Sequence, residues 1–149
     1  MTENPASRPS IGRALAETTR QVGKLHRRAL ADFATDFPTW MLLTLLTEKG
    51  KPLQVDEVVR ELGRRMDLAE PDAVRVLDGA VAAGHVTYLP GHQPATAELT
   101  EAGAAHFAAV YAHARKTTDA AFGGIDPAVL DTVLTVLLAV NERAIAQLG

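Results

Sequence analysis

The chain reads as a mainly α-helical fold carrying one small β-hairpin. Three observations predict it. Long stretches repeat apolar residues at spacings of three, four and seven, the signature of amphipathic helices. The composition is rich in Ala, Leu and Val with only four Phe, two Tyr and one Trp, which favours packed helices over aromatic-rich strands. One short run, His85-Val86-Thr87-Tyr88-Leu89, breaks the helical period with β-branched and aromatic residues.

The first ten residues hold two Pro and both Ser of the chain without apolar periodicity, so residues 1–10 read as a loose arm. From Ile11 onward Leu15, Val22, Leu25, Ala29 and Phe33 mark a long first helix. Its other face is basic, with Arg13, Arg20, Lys24, Arg27 and Arg28 against Glu17 and Asp32. The break at Thr35-Asp36-Phe37-Pro38 supplies an N-cap and an early proline, and Gly50 supplies the stop of a second helix. Trp40-Met41-Leu42-Leu43-Thr44-Leu45-Leu46 is apolar nearly all round, which makes that helix central.

Val55, Val58, Val59 and Leu62 predict a short third helix ending near Gly63. Pro71 opens a fourth, with Ala73, Val74, Leu77, Ala80 and Val81 as its buried face and Gly84 as its stop. Two short helices joined by a turn form a helix-turn-helix. Residues 85–89 then pair with Thr96-Ala97-Glu98-Leu99 across the Pro90-Gly91-His92-Gln93-Pro94 turn, making a hairpin, or wing. A fifth helix runs from Thr100 to about Ala121, and Asp126-Pro127 caps a sixth. The apolar residues of this last helix, Val129 to Leu148, cover too wide an arc for one face of a monomer, so a partner should bury part of it.

At 149 residues the chain suits one domain, spanning 11–149. Absence of Cys removes disulfides, thiolate metal sites and thiol nucleophiles. The start Met1-Thr2-Glu3-Asn4-Pro5-Ala6-Ser7 has neither a basic nor an apolar leader region, and no run approaches the roughly 18 apolar residues of a membrane span. A cytoplasmic protein without membrane partners is expected. A net charge of −3 gives no overall basic field, so any binding of nucleic acid must rest on a local patch.

Leu99-Thr100-Glu101-Ala102-Gly103 is similar to the Leu-Thr-x-x-Gly stretch joining wing to fifth helix in the MarR family of transcriptional regulators. Pro71-Asp72-Ala73-Val74-Arg75-Val76-Leu77-Asp78, followed by Ala82-Ala83-Gly84-His85-Val86, resembles that family's recognition helix and its entry into the wing. The resemblance covers roughly residues 11 to 148. It implies a winged helix-turn-helix over 37–100 and a homodimer held by the helices of 11–34 and 101–149, through residues such as Ile11, Leu15, Val133, Leu137, Val140 and Leu148. It implies duplex DNA as partner, met by Arg75, Arg64, Arg65 and Lys51, with Asp72, Thr87 and His92 on the same face. It also implies a small-molecule effector in a cleft near His26, Phe37, Trp40, Met41, His106 and Tyr111.

Three features depart from the family pattern. The stretch Arg64-Arg65-Met66-Asp67-Leu68-Ala69-Glu70 makes the turn between Gly63 and Pro71 about four residues longer than usual. The recognition segment sets Glu70, Asp72 and Asp78 against Arg75 alone, which disfavours a polyanion. The wing from Val86 to Leu99 holds no Lys or Arg, where the family carries an arginine for the minor groove. Two readings follow: a regulator on a palindromic operator released by its effector, or a MarR-like dimer that keeps only the small-molecule cleft.

Catalysis has little support. The only serines lie in the arm, no phosphate-cradling Gly-rich loop is present, and acid-base chemistry in the cleft would rest on His26, His106 or Tyr111 alone. His106 and His113 are seven residues apart, about 10.5 Å along a helix, too far for one metal ion to bridge. No metal and no cofactor are expected.

Overall fold

The computed structural model describes residues 8–89 and 95–149. Met1 to Ser7 of the arm, and the hairpin turn with His92, lie outside the described residues.

The order is α1 (Ile11–Ala31), α2 (Phe37–Lys49), β1 (Leu53–Gln54), α3 (Val55–Met66), α4 (Glu70–Ala82), β2 (Val86–Tyr88), β3 (Thr96–Leu99), α5 (Glu101–Ala121) and α6 (Pro127–Leu148). The helices begin where donors need partners. Ser10 accepts from the Arg13 amide at the start of α1, Asp36 accepts from the Thr39 amide at 2.9 Å for α2, and Asp126 accepts from the Ala128 amide at 2.9 Å for α6. Gly50 ends α2 in the left-handed region at φ 64°, a conformation open to glycine without strain.

Two expectations about the middle of the chain are corrected. Gly63 does not end α3; the helix runs on to Met66, and Asp67 takes the left-handed capping position at φ 54°. The additional residues therefore lengthen the helix, and the turn to α4 is only Asp67 to Ala69. Glu61 holds the added turn of helix, with Arg64 Nη2 at 2.8 Å and Arg65 Nε at 3.5 Å from its Oε2. The wing is also more than a hairpin: the sheet has three strands in the order β1-β3-β2, with Leu53 opposite Ala97 and Val86 opposite Leu99.

The chain divides into two compact units, one up to Thr118 and one from Asp119 to Gly149. In the first, α2 is the central post. Its Leu42, Leu43, Leu45 and Leu46 are buried with Leu53, Val58, Leu62, Ala73, Leu77, Ala80, Val86 and Ala97, so one core ties α2, α3, α4 and the sheet together. Each fully buried leucine contributes on the order of 2 kcal/mol of apolar burial. A smaller cluster of Leu30, Trp40 and Val110 joins α1, α2 and α5, and Met41 and Phe107 pack against both clusters. Val74, expected on the buried face of α4, is exposed instead.

In the second unit, α6 follows a turn in which Gly124 takes φ 81°. None of its residues is buried within the single chain, and Val133, Leu134, Leu137, Leu138, Val140 and Leu148 all stand exposed. Among the described residues no helix is long and apolar enough to cross a membrane.

Candidate DNA interface and effector cleft

The wing is fastened to the helices by the Leu-Thr-x-x-Gly stretch, and each residue type there has a physical task. The Thr100 hydroxyl donates to the Gly84 carbonyl at 2.6 Å, and the same oxygen accepts from the Gly103 amide at 3.0 Å, capping α5. The Thr100 amide donates to the His85 carbonyl at 3.0 Å. Gly103 is required because the strand entry crosses it: a Cβ there would stand 2.0 Å from the His85 carbonyl oxygen. Further out, the Tyr88 hydroxyl donates to Asp78 Oδ1 at 3.0 Å, joining β2 to α4. Burial first, and then the Asp78 carboxylate, raise the Tyr88 phenol above its ordinary pKa and keep it the donor.

Arg75 projects from α4 into solvent and pairs with Asp72 one turn back. Arg64 and Arg65 sit on the last turn of α3. Arg64 forms a two-pronged bond to Glu61 at 2.8 and 3.2 Å, and Arg65 reaches Glu48 of α2 at 3.0 Å. These bonds, that to Arg64 above all, hold the Glu61 carboxyl below its usual range. Lys51 and Thr87 are exposed, Lys51 beside Pro52 and Glu98 at the edge of the sheet. Each of the three arginines therefore has a carboxylate within reach.

On another side of the first unit an open cleft of about 320 Å³ is lined by His26, Trp40, Thr44, Phe107, Tyr111, Ala114, Arg115 and Thr118. Its wall is aromatic. The Trp40 and Phe107 rings stack 4.7 Å apart with planes 10° from parallel, and Tyr111 continues the same orientation, 6.4 Å from Trp40 and 5.9 Å from Phe107. His26 meets Trp40 and Phe37 edge-on, both at 6.0 Å. Burial, then the charge of Arg27, lower the His26 pKa and favour the neutral ring.

Of the six residues expected near the effector, His26, Trp40 and Tyr111 line this cleft and Phe37 stands behind His26. Met41 points into the core, and His106 lies elsewhere. The His106 ring stacks on His85 at 4.3 Å, and its Nε2 lies 2.8 Å from the Thr35 hydroxyl. That hydroxyl gives its own proton to the Phe33 carbonyl at 3.1 Å, so His106 Nε2 is the donor. His113 lies 2.8 Å from Asp32, and no group of three metal-ligating side chains occurs among the described residues. Phe107, Arg115 and Thr118 were not expected in the cleft, although Phe107 and Arg115 flank Tyr111 at i−4 and i+4 on one helix face.

The six residues expected at a dimer interface are all exposed in the single chain. Ile11 and Leu15 lie on α1, and Val133, Leu137, Val140 and Leu148 on α6.

No family model matches the sequence, and no curated protein does. Solved structures do match. A MarR-family transcriptional regulator from Silicibacter pomeroyi is 25% identical, with a TM-score of 0.67 over 87% of this chain and 88% of that one. CouR from Rhodococcus jostii RHA1, solved bound to p-coumaroyl-CoA, is 18% identical with a TM-score of 0.75 over 93% of this chain and 95% of that one. NadR, solved in complex with 4-hydroxyphenylacetate, is 22% identical with a TM-score of 0.68 over 91% of this chain and 99% of that one. From the core around α2 to the wing latched onto α5, the chain has the fold of the MarR-family transcriptional regulators.

Proposed function

We propose that the chain is a ligand-responsive transcriptional regulator: a cytoplasmic homodimer that binds a palindromic operator and is released by a small aromatic effector. The observation that carries this reading is the co-occurrence, in one compact unit, of a latched winged helix and an aromatic cleft sharing α2. The likeness to solved MarR-family structures supports it, as does the occurrence of bound aromatic ligands in CouR and NadR. The exposed apolar residues of α1 and of α6 support dimerisation, since soluble monomers rarely expose contiguous apolar patches beyond a few hundred Å². No residue of the chain is assigned a catalytic role.

Arg75 is the base-reading candidate, because an arginine on a recognition helix matches the paired acceptors of guanine. Its pairing with Asp72 is no obstacle. Both partners are more than half exposed, and such pairs are worth about 0.2–1 kcal/mol, less than a phosphate or base contact returns. Arg64 and Arg65 are the candidate phosphate contacts, with Lys51 and Thr87 at the sheet, although their pairs are more buried than that of Arg75: Glu61 is 22% exposed and so is Arg65.

A second reading, a dimer that keeps the cleft and has lost DNA binding, is favoured by one specific observation. Each of those three arginines is already partnered by a carboxylate, and Glu70 and Asp78 add negative charge to α4. Fluorescence anisotropy with DNA from upstream of the gene, at about 50 mM and about 200 mM salt, separates the two. Sequence-selective binding that weakens steeply with salt is expected, and its absence at the lower salt selects the second reading. Arg75→Ala is expected to weaken operator binding by about 1–3 kcal/mol with the dimer intact.

A further inference from the structure

A row of rings crosses the junction where α4 gives way to β2 and the corner between them meets α5. His85, at that corner, stacks on His106 of α5 with centroids 4.3 Å apart and planes 16° from parallel. Phe33 stands edge-on to His106 at 6.4 Å, and His113 tilts against Phe33 at 5.3 Å. His106 lies one turn beyond Gly103, so the ring pair and the backbone crossing at Gly103 fasten the same corner. Both histidines are half-buried, and neither has a place for a second proton. His106 Nε2 donates to Thr35, so an added proton must settle on Nδ1, which finds no hydrogen-bond partner among the described residues. The His85 ring makes no hydrogen bond among them either. The charged groups that come near along α1, α4, β3 and α5 are occupied or turned to solvent. Asp32 is 2.8 Å from His113, Asp78 accepts from Tyr88, Glu98 borders Lys51, and Glu101 stands exposed without an ion pair among the described residues.

We infer that His85 and His106 form an acid-released clasp: as neutral rings their stack holds the corner between α4 and β2 against α5, and as imidazoliums they repel and free it. The clasp belongs to the winged helix itself and holds whether or not the chain binds DNA. Like charges this close lie well inside the screening length of about 8 Å at physiological salt. Burial, and then the charge of His85, lower the His106 pKa while the corner is closed. In the open corner the ring regains water, and its pKa returns toward the ordinary value near 6.5. Opening therefore takes up a proton. Above about pH 6.5 the clasp keeps its full strength, and as pH falls from there toward the lowered value the open fraction rises by up to about tenfold per pH unit. The effect falls on α4, whose C-terminal end is tied to α5 by Thr100, through its hydroxyl to the Gly84 carbonyl and its amide to the His85 carbonyl. Acid thus loosens the helix that carries Arg75, by a route that does not pass through the cleft.

Native-state hydrogen exchange on the full-length protein reads the corner, because the Thr100 amide donates across it to the His85 carbonyl. Protection is measured between about pH 7.5 and about pH 5 and corrected for the intrinsic pH dependence of exchange, with the amides of Leu45 and Leu46 in the core as reference. Thr100 is expected to exchange ahead of the reference amides, through an opening that low urea barely changes because it exposes little surface. Its protection is expected to fall by up to about tenfold per pH unit below about pH 6.5. His106→Gln keeps a donor for Thr35 without a titrating charge and is expected to flatten that fall. His85→Phe keeps a ring in the stack and is expected to reduce it. A proton NMR titration is expected to place the His106 pKa below 6.5 in the unaltered protein and higher in His85→Phe. Thr100 protection that is flat with pH, or a fall that either variant leaves unaltered, overturns the clasp. So does a Thr100 amide that exchanges only together with Leu45 and Leu46 and with their urea dependence, since the corner then has no opening of its own. A His106 pKa at or above about 6.5 in the unaltered protein overturns it without recourse to a variant.

Discussion

Gly103→Ala tests whether the wing latch is a packed contact between backbones. In an ordinary helix the change is favourable, because alanine is the better helix former by about 0.5–1 kcal/mol. Here the new Cβ would stand 2.0 Å from the His85 carbonyl oxygen, 2.8 Å from its carbon and 3.0 Å from its Cα. All three are backbone atoms in a segment fixed at both ends, by the Thr100 amide on the His85 carbonyl and by the His85 amide on the Ala80 carbonyl. The strand entry must retreat by more than 1 Å to reach normal contact, which stretches those bonds. Overpacking of this kind typically destabilises by about 1–3 kcal/mol, and the helix gain offsets only part of it. The expected net loss is about 1 kcal/mol, or a fall in Tm of about 2–4 °C for a chain of this size. Urea denaturation at fixed protomer concentration is the assay, because dimerisation would otherwise shift the midpoint. Gly79→Ala is the matched control: it lies in α4, nothing stands within 4 Å of its Cβ, and it is expected to gain about 0.5–1 kcal/mol. If Gly103→Ala is as stable as Gly79→Ala, the close approach is not rigid and the latch does not work as described.

Thr100→Ala removes both the α5 cap and the bond to Gly84, and should lower stability by about 1–2 kcal/mol in the same assay. His106 has a pKa lowered by burial and then by the charge of His85. A histidine depressed in the folded state stabilises above its unfolded value near 6.5, and that contribution is lost as pH falls below it toward the folded value. Stability measured by urea denaturation should therefore fall with acidity over that range, and His85→Phe, which keeps a stacked ring without charge, should reduce the fall; an unchanged pH profile would discount the pair. Leu137→Glu places a charge on the exposed apolar surface of α6 and should shift the species seen by light scattering from dimer to monomer without unfolding the chain, whereas an unaltered mass would remove α6 from the interface.

How far the sequence could be read depended on whether the deciding contact was local. Asp36, Pro38, Gly50 and Asp126-Pro127 act within a turn of themselves, so the limits of α2 and α6 were legible. Leu53-Gln54 is too short to alternate visibly, and only its pairing with Thr96-Ala97 makes it a strand. Gly63 looked like a stop because glycine usually is one. In the fold it marks instead the close passage of the Leu68 carbonyl, 3.2 Å from where a Cβ would be, while Glu61 and two arginines carry the helix past it. The cleft was half legible for a similar reason. The aromatic and histidine residues of α5 occupy several faces, and which face turns toward α2 is decided by Trp40 stacking on Phe107, one residue around the helix from His106. Periodicity alone carries no such information.

The way α2 is enclosed bears on how occupancy of the cleft would be communicated. Trp40 faces the cleft, and two residues later Leu42 and Leu43 begin the solid core of the winged helix. A helix gripped by leucines on nearly every side has no soft direction in which to absorb a push at one end. A ligand pressed against the indole would therefore bear on a helix whose leucines are shared with α3, α4 and the sheet. In mechanical terms α2 has the build of a push-rod set between the cleft and that core.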